Sequence, residues 1–252
     1  MLSIERRNLI LNRLQTDQRV LVSALSAEFD VSDETIRRDL ERLESEGYAS
    51  RTYGGATLCE NLRNEQPYNI RKMTNAEAKQ RIAAKIADLI QDGDFIMLDE
   101  SSTAAFVARA IRRKKNITVI TNSIEIIHDL ADVDGWNIMG TGGKLKSGVL
   151  AFTGHQTETF IRSYHVDKAI ISSTGLDLER GYTDAGEENA LVKRAMLQSA
   201  NETILAVDAG KFGKKAFASI GTLAELSAIV TDKEPDDIWK IKAEEEGVDL
   251  LW

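Results

Sequence analysis

With a single cysteine, Cys59, in 252 residues, the chain has no pair to form an internal disulfide, which suits a reducing compartment. No run of about 18 apolar residues occurs, so a membrane-crossing helix is not expected. No long apolar stretch follows Glu5, Arg6 and Arg7, so no secretory signal is read and the cytoplasm is the expected compartment. A net positive charge is also lacking: 32 Lys and Arg against 40 Asp and Glu leave −8. Non-specific nucleic-acid binders usually carry a strongly basic surface. Residues 1–58 do not supply one, with 8 basic against 10 acidic side chains and a net of −2. Any nucleic-acid reading must therefore rest on where the arginines sit. The three histidines, His128, His155 and His165, show no triad or metal-ligand spacing, so no metal and no cofactor are expected. Internal repeats and low-complexity runs are absent.

What remains is an ordinary globular composition, 42% hydrophobic and 29% charged, at a length that fits a small domain plus a medium one. Periodicity predicts a helix near Ser3–Gln15, with Ile10, Leu11 and Leu14 inward. A second runs over Val22–Phe29, where Val22, Leu25 and Phe29 share a face. Asp30 and Val31 form a turn, and Ser32 is suited to cap a third helix that ends near Gly47. Residues 48–56 then alternate briefly and close on Gly54 and Gly55, as a β-wing would. This spacing is that of a winged helix-turn-helix, expected over residues 1–57. A polar stretch with Pro67 reads as a linker over 58–75.

Beyond it, over 76–252, apolar strands alternate with helices. Strands are expected at Phe95–Asp99, Thr118–Thr121, Asn137–Gly140, Lys168–Ser172, Thr203–Val207, Ala228–Thr231 and Val248–Leu251. That pattern predicts an α/β domain with a mostly parallel sheet.

The third helix carries the nucleic-acid argument. At about 100° per residue, with Ile36 at zero, Leu40 and Leu43 fall within about 40° of it. Arg38, Arg42 and Thr35 fall between about 200° and 260°, on the outward face. Recognition helices contact bases mainly with their N-terminal residues, so Arg38 is the candidate for a bidentate guanine contact. Arg42 and Thr35 are further base or phosphate contacts. Arg37 on the flank suits a phosphate, and Arg51 in the wing suits an adjacent groove or backbone. The plain alternative is a solvated arginine face with an Asp33–Arg37 pair.

Val31–Leu40, followed by Leu43, Glu44, Gly47, Arg51 and Gly54-Gly55-Ala56, resembles the N-terminal signature of the DeoR family of bacterial sugar-metabolism regulators, and the resemblance continues across the second domain.

Loops at strand ends supply a second site. Asp99-Glu-Ser-Ser-Thr103 precedes a helix, where N–H groups and hydroxyls suit an anion. Thr121 and Asn122, Gly142-Gly143-Lys144, and the loop holding Lys211 lie at other strand ends, where open α/β sheets bind ligands. The DeoR resemblance implies a fold similar to ribose-5-phosphate isomerase and a phosphorylated sugar as effector. It implies that the pocket is lined by Asp99, Ser101, Ser102, Thr103, Thr121, Asn122, Gly142, Gly143, Lys144, Thr174, Gly175 and Lys211, with Glu187 and Lys193 closing its far side. Ser101 stands where the family pattern has glycine, which tolerates backbone angles that serine does not.

An isomerase-like enzyme with a DNA-binding arm is the alternative. Asp99, Asp177, Asp184, Glu187 and Glu188 offer carboxylates, but their spacing identifies no general base, so no catalytic residue is assigned. The resulting expectation is a transcriptional repressor of a carbohydrate operon that binds double-stranded operator DNA as a homodimer or homotetramer.

Overall fold

A computed structural model describes residues 2–45, 48–58 and 66–252. The expected helix end at Gly47, the lone Cys59 and part of the expected linker lie outside these residues. The chain divides into two compact units, Met1–Thr74 and Asn75–Trp252.

In the first unit, α1 (Ser3–Asp17), β1 (Arg19–Leu21), α2 (Val22–Phe29) and α3 (Asp33–Ser45) are followed by β2 (Ala49–Thr52) and β3 (Gly55–Leu58). Ile10, Leu11, Leu14, Val22, Leu25, Ile36, Leu40 and Leu43 form its core, at the positions the helical period assigns to the inner faces. Asp30 takes a left-handed conformation at φ +52° to turn the chain between α2 and α3. The Ser32 hydroxyl accepts from Thr35 N at 3.2 Å, capping α3 as expected. The wing is a three-stranded antiparallel sheet in the order β1-β3-β2. Both wing glycines are required. Gly54 sits at φ +81°, and a Cβ on Gly55 would come within 2.0 Å of the Val20 carbonyl oxygen.

The segment expected to be a linker contains α4, Tyr68–Met73. Tyr68 and Ile70 are buried, and Ile70 packs into the core of the first unit. Six residues are too few to display a helical period, which is why the sequence shows only a polar stretch there.

The second unit is built on a seven-stranded sheet. Its elements run α5 (Ala76–Leu89), β4 (Phe95–Leu98), α6 (Ser102–Ala110), β5 (Thr118–Thr121), α7 (Ile124–Leu130), β6 (Asn137–Gly140), β7 (Lys144–Lys146), β8 (Ala151–Thr153) and α8 (His155–Arg162). They continue through β9 (Val166–Ile171), β10 (Gly175–Asp177), β11 (Gly181–Asp184), α9 (Glu187–Leu197), β12 (Ala200–Ala206), β13 (Ala218–Gly221), β14 (Ala228–Val230), α10 (Asp237–Glu246) and β15 (Asp249–Leu251). The sheet order is β15-β14-β12-β9-β4-β5-β6. Each of its pairings is parallel, in keeping with the mostly parallel sheet expected.

All seven strands expected from sequence are in this sheet, because strands covered on both faces read as continuous apolar runs. Met97 joins the core shared with Val192, Met196 and Trp239, while Ile96 and Leu98 are buried outside that cluster, as alternation across a strand requires. Two smaller antiparallel sheets, β7-β8 and β10-β11-β13, were not legible in the sequence.

From β4 the chain moves to β5 on one side, and later places β9 on the other. Strand order therefore reverses between β4 and β9. In open α/β sheets, ligands bind beyond the carboxyl ends of the strands at such a point.

Candidate functional site

In the first unit, α3 turns a row of arginines outward. The Arg38 side chain is 78% exposed and its Nε lies 3.7 Å from Glu34 Oε1, one helical turn back. Arg37 and Arg42 are also exposed, and Thr35 is half-buried with its hydroxyl 2.9 Å from that of Ser32. The helix pair recorded is thus Glu34–Arg38 rather than Asp33–Arg37. An exposed pair of this kind contributes only about 0.3–0.5 kcal/mol and yields readily to a better partner.

Arg51 is engaged within the first unit. Its Nε donates to Glu44 Oε2 and its Nη1 to Glu41 Oε1, both at 2.7 Å, while its backbone N–H donates to Glu44 Oε1 at 3.0 Å. The Arg51 backbone N–H first, and then its guanidinium, hold the Glu44 carboxyl below the usual carboxylate range. Arg51 ties the wing to α3, and its charge is answered by two carboxylates.

Sequence reasoning missed Asp39. It is 4% exposed, and Arg6 Nε of α1 donates to its Oδ2 at 2.5 Å. Arg7 approaches Oδ1 at 3.7 Å. On a helical wheel Asp39 borders the apolar stripe of α3, and a carboxylate at such a border was the available signal.

In the second unit, the end of β4 is a polar knot. Asp99 is fully buried; its Oδ1 accepts from Ser101 N at 3.0 Å, and its Oδ2 accepts from Ser172 N, just past β9, at 2.8 Å. One side chain thereby joins the two strand ends at the order reversal. Ser101 has φ −70° and ψ 149°, extended backbone open to any residue, and its hydroxyl accepts from Ala104 N to cap α6. Serine at the family's glycine position therefore brings no backbone strain, and it supplies the helix cap. Ser102 and Thr103 are buried in the first turn of α6. At the end of β5, Thr121 and Asn122 are fully buried. Asn122 Nδ2 donates to the Phe152 carbonyl at 3.0 Å, and its Oδ1 is buried with no hydrogen-bond partner among the described residues. The Ser173 hydroxyl beyond β9 is in the same position.

Lys193 of α9 lies at the centre of three carboxylates: Asp184 at 2.6 Å, Glu100 at 3.2 Å and Asp99 at 3.4 Å. Burial works most strongly against its charge. Asp184, Glu100 and Asp99 together outweigh that effect and hold the ammonium well above the usual lysine range. Glu100 and Asp184 were not among the expected pocket residues.

The remaining expected residues scatter more. Thr157 Oγ1 donates to the Gly142 carbonyl at 2.7 Å. Gly143, at φ +118°, would bring a Cβ within 2.3 Å of the same Thr157 oxygen. Lys144 is exposed on β7 and reaches Glu188 at 2.9 Å. Thr174 and Gly175 begin the strand pair β10-β11, where Thr174 N donates to the Thr183 carbonyl. Lys211 is half-buried at the end of a short 3-10 turn after β12. Glu187 is exposed at the start of α9, in a shallow depression of about 230 Å³ with Arg194 and Phe217, and no recorded contact joins it to the Lys193 group.

Among the described residues no group of three or more His, Cys, Asp or Glu could hold a metal ion, and no helix is long and apolar enough to cross a membrane.

Residues 6–61 match the DeoR-like helix-turn-helix domain, and residues 74–233 match the DeoR C terminal sensor domain. The chain is 36% identical over 247 residues to the HTH-type transcriptional repressor GlcR of Bacillus subtilis, covering 98% of this chain and 95% of that protein. It is 31% identical over 231 residues to the glycerol-3-phosphate regulon repressor of Escherichia coli, covering 92% and 91% respectively. Among solved structures, ribose 5-phosphate isomerase A of Methanocaldococcus jannaschii aligns over 56% of each chain at 19% identity and a TM-score of 0.42.

Proposed function

Because this chain belongs to the DeoR family, we propose that it is a transcriptional repressor of a carbohydrate operon, released from its operator by a phosphorylated sugar. The observation that carries the reading is α3: capped by Ser32, buried along Ile36, Leu40 and Leu43, and presenting Arg37, Arg38 and Arg42 outward. A helix held in this way delivers its first turns to a major groove, where an arginine reads guanine. The relatives named above are repressors rather than enzymes, and the isomerase reading is set aside.

Effector binding is assigned to the carboxyl ends of the sheet. Asn122 Oδ1 and Ser173 Oγ support this, because buried polar atoms without partners suit a hydroxyl-rich ligand. Lys193 is surrounded by three carboxylates, which disfavours it as the phosphate's partner; Lys211 takes that role. The protein acts in the cytoplasm as a homodimer or homotetramer, since one helix-turn-helix covers one half-site.

The test has two arms. Fluorescence anisotropy with DNA from upstream of the protein's own gene should give binding whose affinity falls steeply with salt. A thermal-shift screen with ribose 5-phosphate, glucose 6-phosphate, fructose 1-phosphate, fructose 6-phosphate and glycerol 3-phosphate should raise the melting temperature with at least one. Lys211→Ala should abolish that rise while leaving effector-free DNA binding intact. No DNA binding, or wild-type effector affinity in Lys211→Ala, would refute the corresponding half.

A further inference from the structure

Asn75 is the first residue of the second unit. Just before it, Thr74 N donates to the Ile70 carbonyl and closes α4; just after it, Lys79 N donates to the Asn75 carbonyl and opens α5. The backbone thus passes from one helix to the next through a residue in the left-handed conformation, φ +51° and ψ 38°. An asparagine at a helix start ordinarily caps that helix with its side chain. Here it makes no such cap, and its Nδ2 donates instead to Asp208 Oδ1 at 3.1 Å.

Asp208 belongs to the loop after β12. The same Oδ1 accepts from Gly210 N at 3.0 Å, and the Asp208 carbonyl accepts from Lys211 N at 2.9 Å. A second tether repeats the pattern. Arg81, further along α5, reaches Asp232 Oδ2 at 3.1 Å, and Asp232 Oδ1 accepts from Ala209 N at 2.8 Å. The start of α5 is therefore fastened to Asp208–Lys211, the loop that carries the lysine assigned to the phosphate, once directly through Asn75 and once through Asp232.

We propose that Asn75 is the positioning residue through which occupancy of the Asp208–Lys211 loop reaches the DNA-binding unit. The inference rests on the effector reading given above. An anion drawn to Lys211 shifts a loop whose aspartate also holds the Asn75 amide. Asn75 is the joint between α4 and α5, so a small rotation there redirects the chain entering the first unit. Asparagine suits this role on both counts, tolerating φ above zero and carrying an amide donor.

The test uses the full chain, with operator affinity measured by anisotropy with and without whichever of the five phosphates named above stabilises the wild type. Asn75→Gly keeps the left-handed backbone and deletes the amide. Asn75→Asp keeps the conformation and sets a carboxylate against Asp208. In the wild type the phosphate should weaken operator binding by about 5- to 150-fold, the usual range of allosteric coupling. In both variants that factor should fall towards one, while calorimetry gives unchanged phosphate affinity. Full response in both variants would overturn the relay alone. Loss of phosphate affinity would overturn it too, by making Asn75 part of the binding site. A wild type that responds to none of the five would remove the effector reading and the relay with it. If Asn75→Asp fails to fold, Asn75→Gly decides.

Discussion

Arg6 Nε and Asp39 Oδ2 meet at 2.5 Å with both side chains under a tenth exposed, joining α1 to the middle of the helix that presents Arg38 and Arg42. Breaking a buried ion pair by removing one partner typically costs about 3–5 kcal/mol, because the other charge is left uncompensated. Asp39→Ala should therefore lower the unfolding free energy of the first unit by an amount in that range, read as a lower denaturant midpoint. Replacing both residues, as Arg6→Met with Asp39→Leu, should recover much of the loss, since well-packed apolar pairs often match a buried ion pair. Equal destabilisation by the single and double variants would mean that packing, not charge, dominates the site.

For DNA recognition, Arg38→Ala should weaken operator binding by about 1–3 kcal/mol and relax preference at one base pair. Arg37→Ala should weaken all sequences alike and reduce the salt slope by about one. Anisotropy titrations against an operator and its single-base variants separate these outcomes. Unchanged base preference in Arg38→Ala would remove it from base contact.

The wing makes a sharper case. If Arg51 acts by holding the wing to α3, Glu41→Gln with Glu44→Gln should weaken operator binding much as Arg51→Ala does. Simple charge reasoning expects the opposite, since deleting two negative charges beside DNA should tighten it. The Glu44 carboxyl is held below its usual range, so the tether is complete above the unfolded value of about 4.3 and is lost as pH falls through the lower folded value. An NMR titration of Glu44 should place its midpoint below about 4.3.

At Lys193, substitution by methionine leaves Asp99, Glu100 and Asp184 buried without their shared cation. The sensor unit should lose about 3–5 kcal/mol near neutral pH. That loss should shrink as pH falls, because burial without a cation favours the neutral form of a carboxyl. The wild-type ammonium is shifted upward, so its contribution persists below about pH 10.4 and is lost only as pH rises through its higher folded value. Urea melts at pH 7.5 and 5.5 test the sign; a pH-independent difference would contradict it.

The large sheet was legible because its central strands, such as Ile96-Met-Leu98 and Ala169-Ile-Ile171, are buried and so read as apolar runs. Strand β11, Gly181-Tyr-Thr-Asp184, is just as buried, but its residue types resemble a turn. Missing β11 meant missing the element that carries Asp184 to Lys193. The loop after β4 could be read from its residues, whereas its partners could not, since Ser172, Asp184 and Lys193 arrive from three later elements. In the first unit the inward and outward faces of α3 follow from period alone. The diversion of Arg51 to Glu41 and Glu44 does not, because it depends on how the wing folds back.

The placement of β4 between β5 and β9 also governs the order in which the molecule can assemble. The pairing of β4 with β9 spans residues 99–165, so the central hydrogen-bond ladder of the sensor waits until Ile170 has been made. The winged helix, including α4, closes within residues 2–74. Local contacts form faster than distant ones, and synthesis runs from the amino end. On the ribosome, the part that grips the operator is therefore free to compact before the part that governs the grip has its central strands paired.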